Sequence, residues 1–540
     1  MSSLTGTPRL VRLGIRRDRI NLVVWIVGLG ALSFFTVSAV AGVAPTEADR
    51  LVTATFTAGN RLARAFDGPA SGTHLGAMTM TEMFGVLAVL GGLMSILIIT
   101  RLTRQDEETG RAELLGSAIV GRRARLTAAL VVALLANVVL ATVTTAALLA
   151  QDLPLEGSVA AGAAVGAAGV SFAAIAAVTS QLVDSQRAAT GLASTALGGA
   201  FLVRAVGDAA GTVDGETFVV SAWPSWLSPI GWGQQVRAFS QDQWDVFLIF
   251  GGFIAVLVGV AYLIGDRRDL GAGVVDVRPG PATAGGRLSN PLKLVWRLQW
   301  ATLAAWTIGI LILAVAWASL GDGADELVGL SEEFEAMFRS MVGEGGMVDA
   351  YIAFVMSFTA VAIGAAMVQA LLRTRAEEST GRIEAVLAGS VGRRRWIGAT
   401  VLVAGGSILA ILVLTGVSSA LVFGVMIDDV GEGFSSFGGA TAVQLPALVA
   451  LGGAVLAVIG LVPRWSAGLA WGLLAATFVM GQLGAVLELP QMVMNLSPFT
   501  HVPSFPAEGI AVLPLVVLTG VGAGLGALGV EAFRRRDLQL

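Results

Sequence analysis

The side chains able to do chemistry concentrate in two stretches that read alike. One is Glu-Glu-Thr-Gly-Arg-Ala-Glu from Glu107 to Glu113, the other Glu-Glu-Ser-Thr-Gly-Arg-Ile-Glu from Glu377 to Glu384. Each runs on to Val-Gly-Arg-Arg, at Val120–Arg123 and Val391–Arg394, and at an offset of 271 ten of the twenty residues from Arg104 to Arg123 match without a gap. Carboxylates and guanidiniums at this density suit charge-assisted contact with a partner, or the positive anchoring of a chain at a membrane surface. Other chemistries lack their residues. There is no Cys, and His74 and His501 stand alone, so neither a thiolate nor a His cluster is available to a metal. The phosphate-cradling Gly-rich loop needs a Lys, and the one Lys, Lys293, sits in Pro-Leu-Lys-Leu. Gly524-Leu-Gly-Ala-Leu-Gly529 has the dinucleotide-binding spacing but lies inside an apolar run with no preceding strand. Close helix packing is the better reading for it, as for Gly162 and Gly166. No Ser/His/Asp constellation stands out.

The elements that must carry the charged stretches are membrane helices. The chain of 540 residues is 55% hydrophobic and 13% charged, with a mean hydropathy of +0.78, outside the range of soluble domains. Twelve runs are long enough to cross about 30 Å of hydrocarbon: 20–43, 82–100, 126–150, 158–182, 188–207, 246–265, 299–320, 352–372, 397–425, 442–462, 466–487 and 510–531. Five Arg precede the first run, which is too long for a signal segment and is expected to remain as an anchor. With the N-terminus inside, the cytoplasmic segments hold 28 of the 34 Lys+Arg and 14 of the 38 Asp+Glu. The positive-inside rule therefore places both termini in the cytoplasm. Within the runs, Arg204 and Asp208 have the spacing of a local helix pair, and Asn137, Gln369, Gln444 and Gln482 have the chemistry of interhelical hydrogen bonds or of a polar pathway.

Repeats extend beyond the charged stretches. Trp25 and Trp306 stand alike at the start of the first and seventh runs, Leu-Ser-Pro recurs at Leu227 and Leu496, and Arg-Arg-Asp-Leu recurs from Arg267 and from Arg535. Four matches in one order predict a duplication: a six-span half at 1–274, a Pro/Gly-rich cytoplasmic linker at 275–289, and a second six-span half at 290–540. Each charged stretch then lies after the second span of its half. Gly110 and Gly381 have the place of N-caps with Glu113 and Glu384 as the acids of the first turn. Ala112, Leu115 and Ile119, with Ala118 beside them, make one apolar face of a short amphipathic helix.

The Glu-rich entry, the Gly, the following Glu and the Val-Gly-Arg close resemble the intracellular loop of ABC-2 type exporter permeases. The double length, the Arg-Pro-Gly-Pro linker at Arg278 and the Leu-Ser-Pro segments resemble, more narrowly, the actinobacterial permeases of polyketide-antibiotic and multidrug ABC exporters. The resemblance implies an all-α integral membrane protein of about twelve transmembrane helices in two parallel six-helix repeats, of the type V exporter kind. It implies a transport subunit of the bacterial cytoplasmic membrane without an ATPase site or cofactor of its own, served by two copies of a separate ABC ATP-binding subunit that carry ATP and Mg2+. Glu107, Glu108, Gly110, Arg111 and Glu113 would engage one of these subunits, and Glu378, Gly381, Arg382 and Glu384 the other. Glu108 faces Ser379 in the alignment, so charge reversal in the two copies should hurt unequally. The basic segments Arg9–Arg17 and Leu292–Arg297 resemble the family's interfacial connecting helices, and the Leu-Ser-Pro segments its outer re-entrant or interfacial helices. The substrate expected is hydrophobic or amphipathic and drug-like, with Phe34, Phe35, Met94, Phe358, Met367 and Gln369 as lining candidates against the plain alternative of core or lipid-facing packing. The competing reading is a proton-coupled antiporter of the major facilitator type, also of twelve spans in two halves. Against it stand the acidic loop entry and the lack of mid-membrane carboxylates.

Overall fold

Apolar runs in hydrocarbon have one local way to satisfy every backbone N–H and C=O, the helix, and helices dominate the protein. The computed structural model describes residues 3–116, 120–269, 271–275, 290–321, 346–482, 484 and 489–537. Apart from Val275 the expected linker lies outside them, as do the side chains of Leu115, Ala118 and Ile119. The chain divides into two compact units, Met1–Gly280 and Pro281–Leu540.

Among the described residues eleven helices are long and apolar enough to cross a membrane. The protein is thus an all-α, multi-pass membrane protein. Six belong to the first unit: Thr7–Val43, Leu75–Glu108, Ala124–Leu149, Leu155–Leu182, Gln186–Ala209 and Val246–Gly265. The second unit has Pro291–Ser319, Met347–Ser379, Arg393–Met426, Val430–Leu461 and Val512–Arg535, together with a shorter apolar helix, Ser466–Gln482. A small antiparallel hairpin, Thr212–Asp214 with Phe218–Val220, pairs Val213 with Val219.

Several helices outrun the apolar runs that predict them. The first is continuous for 37 residues from Thr7, so the basic segment Arg9–Arg17 is not a separate connecting helix. Nothing between Pro8 and Ile20 breaks a helix, and the long Arg side chains can keep their heads in water while their stems cover apolar surface. The same holds for Pro291–Ser319, where Asn290 caps the first turn by accepting from the Leu292 N–H at 3.0 Å, with Pro291 at the position that needs no donor. The second helix begins at Leu75, where His74 Nδ1 accepts from the Gly76 N–H at 3.1 Å.

Polar side chains join neighbouring helices. Asn137 Nδ2 donates to Ser95 Oγ at 2.8 Å, Trp306 Nε1 to Gln369 Oε1 at 2.5 Å and Ser357 Oγ to Gln482 Oε1 at 2.9 Å. Each such bond is worth about 1 kcal/mol in a membrane bundle, where close packing does most of the work. That packing is closest between Val430–Leu461 and Val512–Arg535, where a Cβ on Gly453 would collide with the Gly522 carbonyl and one on Gly460 with the Gly529 carbonyl. Of the dinucleotide-like glycines, Gly529 is therefore a packing residue.

Candidate functional site

The charged stretches lie where the second long helix of each unit ends. In the first unit that helix passes through one π turn, Arg101–Gln105, before closing at Glu108. Gly110 then takes a φ of +69° and Gly381 a φ of +70°, the left-handed conformation that ends a helix and reverses the chain. A Cβ at either position would meet nothing within 4 Å, so only the backbone requires glycine. Gly110→Ala and Gly381→Ala are each expected to cost about 1–2 kcal/mol, read as a lowered unfolding midpoint in detergent. Asn, which tolerates this region, should cost less.

The short helices that follow, Arg111–Gly116 and Arg382–Leu387, orient the repeated residues alike. Ala112 and Ile383 are buried, while Arg111 and Glu113, and Arg382 and Glu384, are exposed. The apolar residue between each Arg and Glu seats the helix, and the two charges stand off its outer sides.

The acids that open each stretch point the other way. Glu107 is almost wholly enclosed: Arg268 grips both its carboxylate oxygens at 2.8 and 3.0 Å, and Arg104 donates to one at 2.8 Å. Arg104, itself fully buried, also donates to the carbonyls of Ser180 and Ala272. In the second unit Arg536 grips Glu378 at 2.6 and 2.7 Å, with Arg375 at 3.4 Å, and Glu378 is fully buried. Forked, charge-assisted contacts of this kind fix direction as well as distance. The two repeats that the sequence displays separately, the charged stretch and the Arg-Arg-Asp-Leu at the end of each half, are thus the two sides of one latch.

The remaining acids serve the loop itself. Glu108 Oε1 accepts the N–H of Gln186 at the start of the fifth helix, at 3.0 Å. Its counterpart Ser379 is exposed and donates within its own helix to Ala376 O at 3.1 Å. Arg17, from the first helix, holds Asp106 at 2.5 Å, and Arg101 holds Asp18 at 2.7 Å. At the rim Arg123 bonds Asp266, which keeps that carboxyl below its ordinary range.

The lining candidates differ in their surroundings within each unit. Met94 and Met367 are enclosed in the helix packing, Met367 against Gly452. Phe34 and Phe35 meet edge to face at 5.5 Å on an exposed face, and Phe358 packs on Phe354 at 4.7 Å and Phe478 at 5.6 Å. Gln369 is exposed and bonded to Trp306.

The other end of the first unit carries a polar cluster. Arg204 and Asp208 form the expected pair at 3.3 Å, both fully buried, and Ser225 Oγ donates to Asp208 at 2.6 Å. Arg204 Nη2 also donates to the Phe66 carbonyl at 3.1 Å. Leu-Ser-Pro leads into this region: Ser228 caps the buried helix Pro229–Gln235, accepting from Ile230 N at 3.2 Å. Nearby, burial pushes the Asp67 carboxyl up to about 6 from 3.8, with Arg204 drawing it the other way. The fold therefore holds this proton more tightly than the unfolded chain does. Its contribution is complete below the unfolded value and is lost as pH rises through the folded one. The unfolding midpoint of the wild type should fall between about pH 4 and about pH 7 by an increment that Asp67→Asn removes; an unchanged slope in the variant would contradict the assignment.

Sequence reasoning missed three features. Glu82, the first residue of the second apolar run, lies inside the helix that begins at Leu75, and it is exposed. Arg268 and Arg536 were visible only as a repeated motif, since nothing local names a partner 161 or 158 residues away.

A family profile described as the C-terminal domain of the multidrug efflux system permease Rv1217c matches residues 9–264 and 288–534. The chain is also similar along its whole length to a curated relative, the multidrug efflux system permease protein Rv1217c of Mycobacterium tuberculosis. The two are 37% identical over 541 residues, covering 100% of this chain and 96% of the relative.

Proposed function

Since the chain belongs to the multidrug efflux permease family, we propose that it is the motorless membrane subunit of an ATP-driven ABC exporter of hydrophobic or amphipathic drugs or antibiotics. Two copies of a separately encoded ATP-binding subunit bind ATP and Mg2+ and hydrolyse the nucleotide. The permease resides in the bacterial cytoplasmic membrane with both termini inside, in accord with the segregation of its Arg residues.

The observation that supports this reading best is the division of labour within each repeated stretch. Each unit presents an exposed Arg and Glu on a short helix, at Arg111 and Glu113 or Arg382 and Glu384. Immediately upstream a buried Glu ties the same segment to the end of the unit's last helix. An anchor toward water suffices with positive charge alone. An outward acid beside the Arg, backed by a rigid internal latch, suits a lever gripped by a partner. Closure of the ATP-binding subunits then displaces the short helices, and the latches carry the displacement into the second and last helices of each unit, opening the pathway outward.

Affinity purification of the tagged permease from its native membranes tests the assembly. An ATP-binding cassette subunit recovered at two copies per permease is the expected result. Permease that transports drug while no such subunit accompanies it would overturn the proposal.

A further inference from the structure

Behind the first unit's latch lies a cavity of about 270 Å3, between the ends of the second, third and sixth helices. Four guanidiniums line it, Arg122, Arg123, Arg125 and Arg268, against the three carboxylates of Glu107, Asp266 and Asp269. The carboxylates do not share themselves evenly. Glu107 is committed to Arg268 and Arg104, and Asp266 to Arg123. Arg125 is left with no hydrogen bond among the described residues, and its nearest carboxylate oxygen, on Glu107, is 3.9 Å away. Arg122 gives one N–H to the Arg268 carbonyl at 3.3 Å and has others to offer. The third helix also begins here, at Ala124, with no side chain capping its first turn; the free N–H groups and dipole of a helix start favour an anion.

The second unit lacks this arrangement in its sequence. At the offset of 271 Arg125 is replaced by Trp396, and at the offset of 268 Asp266 is replaced by Arg534. Trp396 is buried, an indole at the sequence position that Arg125 holds in the first unit.

We propose that the cavity binds a phosphate group, carried by an anionic lipid headgroup or free in solution. Guanidiniums converging from the start of the third helix and the end of the sixth match the tetrahedral oxygens of a phosphate better than a single carboxylate. The volume lies below the roughly 300–1,000 Å3 of drug-sized pockets, so it suits a headgroup and not a whole drug. The site stands at the arginine-rich ends of membrane helices, where basic pockets meet anionic lipids. Phosphate binding there does not depend on whether ATP drives transport.

The test uses the full-length permease in detergent, with unfolding followed as temperature rises. Three additions are compared: phosphatidylglycerol, phosphatidylcholine and inorganic phosphate. A gain in midpoint with phosphatidylglycerol alone identifies the lipid, and an equal gain with inorganic phosphate identifies the free anion. In both cases Arg125→Gln should abolish the gain and leave the midpoint without additive near the wild-type value. Arg125→Trp, which installs the second unit's residue, should abolish it as well, and Arg122→Gln, at the exposed rim, should reduce it. The proposal is overturned if neither phosphate source shifts the wild type, or if Arg125→Gln and Arg122→Gln keep the full shift.

Discussion

Removing the latch acid, as Glu107→Leu or Glu378→Leu, is expected to destabilise the protein by about 3–5 kcal/mol. The reason is what the substitution leaves behind. Without Glu107, the guanidiniums of Arg104 and Arg268 remain enclosed and repel each other with no carboxylate between them. Without Glu378, Arg536 loses the carboxylate that both of its forked contacts engage. An ion pair replaced as a whole by apolar residues costs far less than one stripped of a single partner. The double variants Glu107→Leu with Arg268→Leu and Glu378→Leu with Arg536→Leu should therefore recover much of the lost stability. Unfolding midpoints of the single and double variants, arranged as double-mutant cycles, check this. Strictly additive losses would show that the paired residues do not act as latches. In membranes, the apolar double variants should fold yet export poorly, because an apolar contact restores packing without the fixed direction of a forked ion pair.

The opposite pattern is expected for the outward residues. Glu113→Lys and Glu384→Lys reverse exposed charges with no buried partner to strand, so each should change stability by no more than about 0.5 kcal/mol. Retention of the ATP-binding subunits during purification should nevertheless fall more than tenfold in the double variant, along with drug export. The single variants should differ in severity, since the two loops are built differently: Glu108 holds the start of the fifth helix through Gln186, and among the described residues Ser379 bonds within its own helix. Stability loss without loss of the partner at Glu107, and partner loss without stability loss at Glu113, together separate the inner role from the outer one. Equal effects at Glu113 and Glu384 would contradict the asymmetry that the sequence predicts.

Much of this architecture is written locally. A run such as Val246–Gly265 can only be a helix in hydrocarbon, and Arg204 with Asp208 announces its own pairing by a spacing of four. Helix ends were less legible, because the start of Leu75–Glu108 is set by a His74 cap and a polar Thr-Met-Thr-Glu turn that hydropathy does not count. The inward and outward faces of the charged stretch were not legible at all. Glu107 and Glu113 are chemically alike, and what separates them is the enclosure of one beside Arg268, 161 residues away. A motif that repeats at the end of each half carried this information, although only the fold joins it to the loop.

The central claim, that force enters this permease from ATP-binding subunits, is tested most directly by drug uptake into inside-out proteoliposomes. With the partner subunits present, uptake should require ATP and Mg2+, persist when the proton gradient is collapsed, and disappear in Glu113→Lys with Glu384→Lys. Uptake by the permease alone under an imposed proton gradient, without ATP, would contradict the account.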